Sequence, residues 1–310
     1  MTVPELPQNR TPIIACLRYG ALKKHFTRLS EVEFSQVDWP LGAPAIGRRL
    51  ADLSANDHVL LPASSRAATV SRAGLSCGVS LMLAEPECIK PNFYRLLPAF
   101  APRFDHVLTH STRVLTGLRN ALFLAHGDSL DLPSHDMPRT EKNGRISIIA
   151  SGKAYTVGQK LRHQIVEWAK SHVSDLSVFG RQYHPIDDKS QGLSPFMFSV
   201  AIENSQSPGY FTEKLIDCLL CHTIPVYWGA PDICHFFDPR GLVICRTEKE
   251  LRDAVVSVDE AEYRSREPWL EMNRQRALTY LNYPKRAAEI IAGLQMSGGA
   301  VSAAETRNAA

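Results

Sequence analysis

The sequence has no strong excess of charge and no long apolar run. Its 310 residues include 35 Lys and Arg against 32 Asp and Glu, for a formal net charge of +3. So small a surplus does not predict binding to nucleic acid, although one local cationic site for a phosphate ligand is compatible with it. The longest apolar stretches are far shorter than the roughly 20 residues that cross a bilayer. The sequence thus predicts no transmembrane segment and leaves peripheral contact with a membrane open.

Signals for export and for disulfide bonds are missing as well. The start of the chain, MTVPELPQNRTPIIACLRYG, has neither the basic nor the apolar segment of a signal peptide. Seven cysteines, an odd number without a repeating spacing, favour free thiols, and we therefore expect a cytoplasmic protein. The sequence Cys218-Leu-Leu-Cys221-His222 matches a haem-attachment signature. Because that attachment needs export, cysteines of the protein core are the better interpretation.

Several motifs that would assign an enzyme class are also absent. There is no GxxxxGK[ST] P-loop and no GxGxxG dinucleotide loop. An Asp-x-Asp pair, which holds a metal ion on nucleotide phosphates in one class of sugar transferases, does not occur either. No second Cys or His pair stands at the spacing from Cys218 and Cys221 that a zinc site needs. We expect neither a metal site nor an organic cofactor.

What the sequence does contain is the composition and the alternation of an α/β protein. Hydrophobic residues make up 44% and charged residues 22%, both close to the average of globular domains. Short apolar runs alternate with amphipathic stretches, which is typical of βα units on a mostly parallel sheet. At roughly 150 residues per domain, the length suggests two domains. We predict an N-terminal domain over 1–135, a linker over 136–144, a C-terminal domain over 145–295 and a disordered tail over 296–310.

The apolar pattern also predicts the individual elements. The predicted strands cover 13–17, 58–61, 79–83, 106–109, 146–150, 176–179, 197–202, 224–228 and 243–245. The predicted helices cover 64–73, 111–120, 159–170, 212–221, 248–256 and about 260–294. Ligands of parallel α/β folds bind at the carboxyl ends of the strands, so the cleft between the two domains is the expected site.

The most informative stretch is FSVAIENSQSPGYFTEKLIDCLLCHTIPVYWGAP, residues 198–231. A buried strand ends at the polar pair Glu203-Asn204, a turn follows, and a helix begins near Thr212, whose side chain suits the N-cap position. Backbone N–H groups at such a helix start can receive an anion, and Lys214 adds a positive charge of the kind that binds phosphate. A cation in the first turn opposes the helix dipole, so a lysine at this position is better explained if an anion binds beside it. The alternative is an ordinary surface lysine that is solvated.

The same stretch resembles the donor-binding motif of the α-1,3/4-fucosyltransferases of glycosyltransferase family 10. In that family a strand ending in hydrophobic-Glu-Asn-Ser is followed by Tyr-(Phe/Val)-Thr-Glu-Lys, a helix, and a Pro-containing strand that ends in Gly. The match here is contiguous, and so long a match is specific. The corresponding residues are Ile202, Glu203, Asn204, Ser205, Tyr210, Phe211, Thr212, Glu213 and Lys214, followed by residues 224–229.

Two further patches extend the likeness. The stretch ISIIASGKAYTVGQKLR resembles the strand and helix that open the family's nucleotide-binding domain, with Arg162 as the helix arginine. It departs from the family at Gly152-Lys153, where Asn-Lys is usual, and at Gly158-Gln159, where Gly-His is frequent. In the N-terminal half, Glu85-Pro86 and Phe104-Asp105 resemble the family's Glu-Pro segment and its Phe-Asp strand.

The resemblance implies a GT-B fold, in which two Rossmann-like domains face each other across a cleft. It also implies the inverting transfer of L-fucose from GDP-fucose, held by the C-terminal domain, to a saccharide hydroxyl held by the N-terminal domain, with no metal required for binding. Lys214 and Arg162 would stabilise the charge on the leaving GDP, and Glu85 would take the proton of the acceptor hydroxyl. The other donor contacts implied by the motif are Glu203, Asn204, Tyr210 and Glu213.

Other interpretations stay open at this level. Glu85 could be an ordinary loop carboxylate, because a motif match is a hypothesis. The chain could transfer another nucleotide-linked sugar, as in the synthesis of a surface polysaccharide, since a sugar pocket can change while the phosphate site does not. It could bind a nucleotide sugar without catalysis, in which case Glu85→Ala would change nothing measurable, or it could be a scaffold without nucleotide affinity.

Overall fold

The computed structural model describes residues 11–129 and 132–297, and the first part of the chain forms a six-stranded sheet. The strand order is β2-β1-β3-β4-β5-β6, and all neighbours are parallel except β1 and β2. Helix α1 (Pro91–Phe100) connects β4 to β5, and α2 (Thr112–Gly117) connects β5 to β6. The strands are β1 (Ile14–Leu17), β2 (Val37–Leu41), β3 (His58–Pro62), β4 (Gly78–Leu83), β5 (Val107–Thr109) and β6 (Ala121–Phe123).

The second part of the chain forms a five-stranded sheet in which all neighbours are parallel, in the order β11-β10-β9-β7-β8. Its strands are β7 (Gly144–Ile149), β8 (Leu176–Phe179), β9 (Phe196–Ile202), β10 (Ile224–Trp228) and β11 (Val243–Ile244). The helices of this part are α3 (Val157–His172), α4 (Ser190–Leu193), α5 (Glu213–Leu220), α6 (Glu248–Ser257), α7 (Glu260–Thr279) and α8 (Tyr283–Met296).

Local sequence explains the elements that surround the expected site. Strands β9 and β10 are buried along almost their whole length, as continuous apolar runs in a parallel sheet are. Helix α3 begins with a capping box, in which the Thr156 side chain accepts from the Gln159 N–H while the Gln159 side chain accepts from the Thr156 N–H. Helix α5 begins after Thr212, as predicted, and the Thr212 side chain accepts from the Lys214 N–H.

Helix α8 packs on the N-terminal sheet, although it follows the C-terminal sheet in sequence. Tyr283, Ala287 and Ile291 of α8 share one buried cluster with Ile14 and Leu60 of that sheet. The predicted C-terminal domain, 145–295, includes this helix, and for α8 that boundary is wrong. Periodicity shows that a helix has an apolar face, but it does not show which sheet covers the face.

The predicted continuous helix over 260–294 is also interrupted between α7 and α8. Asn282 adopts a left-handed conformation, with φ 57°, and its side chain accepts from the Lys285 N–H. The N–H groups of Asn282 and Tyr283 donate to the Asp128 carboxylate, each over 3.0 Å. Pro284 has no N–H and cannot continue the hydrogen bonds of α7, but it is well suited to the first turn of a new helix, where the N–H groups have no intrahelical partner.

Three further predictions need correction or completion. Residues 64–73 do not form an α-helix; only the short 3-10 helix Ala67–Thr69 lies there. The sequence does not predict β2, β6 or α1: β2 contains one proline, α1 contains two, and β6 has only three residues. Of the predicted disordered tail, residues 298–310 lie outside the described part of the chain. None of the helices in the described residues is both long enough and apolar enough to cross a membrane.

Candidate functional site

A cavity of about 350 Å³, called the main cavity below, lies between the two domains. One wall comes from the C-terminal domain, around the ends of β7 and β9 and the starts of α3 and α5. The other wall includes Ala84 and Glu85, which follow β4, and His126. The carboxyl ends of β4 and β9 therefore face the same space, where ligands of α/β folds bind. The predicted site residues that line it are Glu85, Arg162, Asn204, Tyr210, Glu213 and Lys214.

Glu203 lies behind this wall, with no exposed surface, instead of facing the main cavity. One carboxylate oxygen accepts from the Thr212 N–H over 2.7 Å, and the other accepts from the Thr212 hydroxyl over 2.8 Å. Burial raises the pKa of the Glu203 carboxyl, while the Lys214 ammonium at 3.8 Å and the two Thr212 bonds act against that rise. Glu203 therefore joins the end of β9 to the start of α5 and fixes where that helix begins.

Arg162, Asn204 and Tyr210 form a hydrogen-bonded row along the wall. The Arg162 guanidinium donates to the Ile202 carbonyl over 2.9 Å and to the Asn204 side-chain oxygen over 3.1 Å. The Asn204 amide in turn donates to the Tyr210 hydroxyl over 3.3 Å. Burial raises the pKa of Tyr210 well above its ordinary value, so the phenol stays neutral. The arginine charge is thus held in one orientation at the cavity.

Glu213 and Lys214 meet in the first turn of α5. The Lys214 ammonium lies 2.7 Å from a Glu213 carboxylate oxygen and 3.1 Å from the Thr212 hydroxyl. Burial alone would raise the pKa of the Glu213 carboxyl, but the positive charges of Lys214 and Lys189 outweigh it and hold the pKa well below its ordinary value. Glu213 is consequently an anion at neutral pH, and it holds the Lys214 ammonium at the cavity.

The lack of a side chain at Gly158 allows the start of α3 to pack directly against the end of β9. The Gly158 N–H donates to the Asn204 carbonyl oxygen over 3.2 Å. A β-carbon at position 158 would lie 1.7 Å from the Glu203 carbonyl oxygen, so any larger residue would push the start of α3 away from the end of β9. The neighbouring Gln159, which departs from the resembled pattern, serves in the capping box described above.

Glu85 differs from these residues in its surroundings. Its side chain is exposed and lines the main cavity from the N-terminal domain. Its backbone carbonyl accepts from the Tyr94 hydroxyl over 2.8 Å, which fixes the backbone after β4. A solvated carboxylate on the wall opposite the cations is suited to accept a proton from a bound hydroxyl.

Comparison with known proteins assigns the C-terminal wall to a family. The description of the matching family is "Glycosyltransferase family 10 (fucosyltransferase) C-term", and the match covers residues 141–279. Residues 141–279, less than half of the chain, thus match the model of the family's C-terminal domain, and they are called the family-10 segment below. A segment of 70 residues in this chain is 39% identical to Alpha-(1,3)-fucosyltransferase FucT of Helicobacter pylori, and it covers 23% of this chain and 15% of that protein.

A second relative is less identical to this chain but matches it over a longer stretch. GDP-fucose protein O-fucosyltransferase 3 of Danio rerio is 30% identical over 131 residues, which cover 40% of this chain and 28% of that protein. The matches to both relatives therefore span less than a third of the relatives' own lengths.

A solved structure extends the comparison from the family-10 segment to both domains. The S. aureus TarM G117R mutant, in complex with Fondaparinux, alpha-GlcNAc-glycerol and UDP, superposes with a TM-score of 0.54. The superposition covers 77% of this chain and 55% of that chain, at 9% sequence identity. Such a likeness shows the fold alone. It confirms the predicted GT-B class, with two Rossmann-like domains across a cleft.

The family-10 segment also brings Lys189 to the main cavity, a lysine that no motif in the sequence indicates. Lys189 lies just before α4, and its ammonium is 2.8 Å from the Asp217 carboxylate on α5. Asp217 is 1% exposed and also accepts from the Ser129 hydroxyl over 2.6 Å. Burial raises the pKa of Asp217 to about 6, although Lys189 and Ser129 act against the rise. In the sequence, an aspartate on the apolar face of the predicted helix 212–221 is the feature that indicates a buried ion pair.

Two histidines at the junction of the domains were also missed. His126 lines the main cavity, and His110 packs against Tyr210 of the family-10 domain with the ring centroids 5.0 Å apart. In both rings Nδ1 is buried and has no hydrogen-bond partner among the described residues. Burial lowers the pKa of His110 to about 3, so this imidazole is neutral at physiological pH.

The cysteines behave as the sequence predicts. All seven are free, and Cys218 and Cys221 are buried in the core of the family-10 domain. Burial raises the pKa of Cys221 to about 12, so its sulfur is a protonated thiol at neutral pH. Within the described part of the chain, no cluster of three or more His, Cys, Asp and Glu residues is arranged to hold a metal ion.

Proposed function

We propose that this protein transfers L-fucose from GDP-fucose to a hydroxyl group of a saccharide, with inversion at the sugar carbon. One observation carries the proposal. Arg162, Lys189 and Lys214 line the same cavity as Glu85, and they do so from the opposite domain. A pyrophosphate needs fixed cations, and an acceptor hydroxyl needs a base. The family-10 segment supports fucose as the transferred sugar, and the relatives' names include a fucosyltransferase and a GDP-fucose-dependent enzyme.

Lys214 and Arg162 act on the leaving group in this proposal. When the bond between the sugar carbon and the β-phosphate oxygen breaks, negative charge grows on the phosphate. Lys214 in the first turn of α5 and the fixed Arg162 guanidinium would stabilise that charge, aided by the N-terminal end of the helix dipole. Because hydrogen bonds already orient both cations, little reorganisation is needed as the bond breaks.

Asn204, Tyr210 and Glu213 would define the rest of the donor site. The Glu213 carboxylate, ionised at neutral pH, can accept a hydrogen bond from a ribose or fucose hydroxyl. Tyr210 offers a neutral hydroxyl at the same wall. Glu203 acts indirectly, since it holds Thr212 and hence the start of α5.

Glu85 is the proposed general base. In inverting transfer the base approaches from the side of the sugar opposite to the leaving group, and Glu85 lies on the wall opposite Lys214. It takes the proton of the acceptor hydroxyl while the acceptor oxygen bonds to the sugar carbon. We further propose that the cationic side chains take the place of a divalent metal, so chelation by EDTA should leave transfer unchanged.

Calorimetry of the purified chain with GDP-fucose, GDP-mannose, UDP-glucose and free GDP tests the donor assignment. We expect GDP and GDP-fucose to bind and Lys214→Ala to weaken both at least tenfold. Preference for a UDP-sugar would remove the fucose assignment. Binding of GDP-fucose with no transfer to any saccharide, together with no effect of Glu85→Ala, would favour a binding protein over an enzyme. No binding at millimolar ligand would contradict the proposed donor site.

A further inference from the structure

A basic loop follows strand β1 on the N-terminal domain. Residues 18–28, RYGALKKHFTR, contain four Lys and Arg residues and no Asp or Glu. All four of these residues are exposed. Their four positive charges exceed the net charge of the whole chain, which is +3. The loop is therefore a local concentration of positive charge that the proposed donor site does not use.

Two large aromatic side chains project from the same loop. Tyr19 is 84% exposed and Phe26 is 78% exposed. Phe26 also adopts a left-handed backbone conformation, with φ 58°, which is strained for a bulky residue. The fold thus holds an apolar ring in water on a strained backbone, and such strain indicates a function outside the packing of the chain.

The basic loop is anchored to the domain on both sides of its exposed residues. Leu22 and Leu29 are buried in the core of the N-terminal domain. The Leu29 N–H donates to the Ser71 carbonyl over 2.9 Å, and the Phe26 N–H donates to the Thr69 hydroxyl over 3.4 Å. The exposed rings and charges are therefore presented in one arrangement before any partner arrives.

A fifth cation joins the loop from the segment that follows β3. Arg66 is exposed, and it lines a small cavity of about 90 Å³ together with Arg18 and Tyr19. It stands three residues before Thr69, which bonds to the loop at Phe26. Residues 18–28 and Arg66 therefore form one surface, called the basic patch below.

Most of the positive charge of the basic patch is available to a partner. Arg18 and Arg28 each face one carboxylate, at 2.8 Å and 3.8 Å. Lys23, Lys24 and Arg66 form no ion pair with the described residues. Because ion pairs between exposed side chains are weak, the two paired arginines also remain able to meet an anion.

We infer that the basic patch binds the surface of an anionic lipid bilayer. Phe26 and Tyr19 enter the interface, where the apolar part of an aromatic ring leaves water and a phenol hydroxyl stays hydrated. Lys23, Lys24 and Arg66 meet the lipid phosphates, to which juxtamembrane cations are attracted. The inference goes beyond the proposed function and does not depend on it.

The exposure of the two rings favours a bilayer over a dissolved polyanion. Proteins that bind a nucleic acid strand hold it in a basic groove and stack its bases on aromatic rings there. Tyr19 and Phe26 expose most of their surface, so they stand on a projecting loop and not in a groove. A polyanion would account for the cations of the patch, but it would leave the strained, outward Phe26 without a role.

The position of the patch relates it to the main cavity. Arg18 follows β1, Arg66 follows β3 and Glu85 follows β4, so all three lie at the carboxyl ends of parallel strands. Tyr19 and Glu85 also line one cavity of about 270 Å³. A bilayer bound to the basic patch therefore lies beside the edge of the sheet that carries Glu85.

Co-sedimentation of the purified chain with lipid vesicles tests the inference. We expect binding to vesicles of 70% phosphatidylcholine and 30% phosphatidylglycerol, and at least tenfold weaker binding when NaCl rises from 50 to 500 mM. Lys23→Gln/Lys24→Gln should weaken binding at 50 mM NaCl about tenfold or more. The matched control, Lys160→Gln/Arg181→Gln, removes the same charge from exposed positions of the C-terminal domain and should bind as the unsubstituted protein does.

The variant Phe26→Gly separates membrane binding from folding. It removes the ring and should weaken binding to the anionic vesicles about three- to tenfold. It should unfold at the temperature of the unsubstituted protein or above it, because glycine adopts the left-handed conformation without strain. Val256→Ser is the control, since Val256 is an exposed apolar residue of α6 and should not affect vesicle binding.

Three results would overturn the inference. The first is no binding to the anionic vesicles at 50 mM NaCl, or equal binding to vesicles of phosphatidylcholine alone. The second is unchanged vesicle binding in both Lys23→Gln/Lys24→Gln and Phe26→Gly. The third is binding to heparin or single-stranded DNA that is tighter than vesicle binding and unaffected by Phe26→Gly, which would assign the basic patch to a dissolved polyanion.

Discussion

The two walls of the main cavity differ in whether their polar side chains already have partners. On the C-terminal wall the polar groups bond to one another: Arg162 to Asn204, Lys214 to Glu213, and Lys189 to Asp217. On the N-terminal wall Glu85 is exposed, and the buried Nδ1 of His126 has no hydrogen-bond partner among the described residues. The first wall is organised before any ligand arrives, whereas the second offers groups that a ligand would complete. Such a contrast suits an enzyme whose donor is fixed and whose acceptor is recognised by fewer contacts.

Substitution of the proposed base, Glu85, should lower the rate of transfer without changing the affinity for the donor. Glu85→Gln keeps the size of the side chain and removes its basicity, so we expect kcat to fall about 10²- to 10⁴-fold. The affinity for GDP should stay unchanged, because Glu85 belongs to the opposite wall. Transfer assays and calorimetry on the same preparation check both expectations, and Glu87→Gln, a carboxylate of the same loop that does not line the main cavity, is the control. Weaker GDP binding in Glu85→Gln would contradict the division of labour between the walls.

The family-10 wall could be predicted in detail because its residues are neighbours in sequence. Thr212, Glu213 and Lys214 occupy the first turn of one helix, so a single motif indicates their shared position. Glu203 lies nine residues earlier, yet its burial behind the wall follows from the packing of β9 against α3 and α5, and no motif shows that.

The other wall could not be predicted to the same extent. Glu85 and His126 come from two distant segments, which follow β4 and β6, and only the strand order of the N-terminal sheet brings both to one cavity. Lys189 could not be predicted for a similar reason, because its partner Asp217 lies on a different element. Strands and helices with a clear apolar period were predictable, whereas the proline-containing β2 and α1 were not.

The pair of Lys189 and Asp217 offers a second test of the organised wall. Lys189→Met leaves the buried Asp217 carboxylate without its cation, and we expect a loss of roughly 3 kcal/mol in the free energy of unfolding near pH 8. The pKa of Asp217 is already raised to about 6 in the folded protein. A raised carboxyl pKa favours folding at low pH and loses that benefit as the pH rises, so the destabilisation should shrink toward pH 5.

Urea unfolding at both pH values measures this effect. Because Lys189 lines the main cavity, Lys189→Met should also weaken GDP binding. The double variant Lys189→Met/Asp217→Asn, which removes both charges, should recover most of the stability but not this affinity. A double variant that restores GDP affinity would show that Lys189 supports the fold and does not contact the donor. Equal destabilisation by Lys189→Met at pH 8 and pH 5 would contradict the role assigned to Asp217.

The smallest expected effect concerns His110, which joins the two walls through its contact with Tyr210. An unfolded histidine takes up a proton near pH 6.5, whereas burial lowers the pKa of folded His110 to about 3. The unfolded state therefore binds more protons below pH 6.5, and His110 should reduce stability by about 1.4 kcal/mol per pH unit on acidification. His110→Phe keeps an aromatic ring at Tyr210 and should flatten the pH dependence of unfolding between pH 6 and 5. Parallel curves for the two proteins would refute this assignment.

The packing of α8 on the N-terminal sheet also affects the order in which the protein folds during its synthesis. A ribosome completes the six strands of the N-terminal sheet well before it reaches Tyr283. Until α8 emerges, Ile14, Leu60 and Leu108 lack the helix that covers them in the finished structure. At about 5–20 residues per second the delay lasts roughly 10 to 30 seconds, long enough for an open apolar face to meet a chaperone or another nascent chain. The C-terminal sheet, by contrast, receives α3 and α5 between its own strands as they are synthesised. The half of the molecule that is translated first is therefore the half whose core closes last.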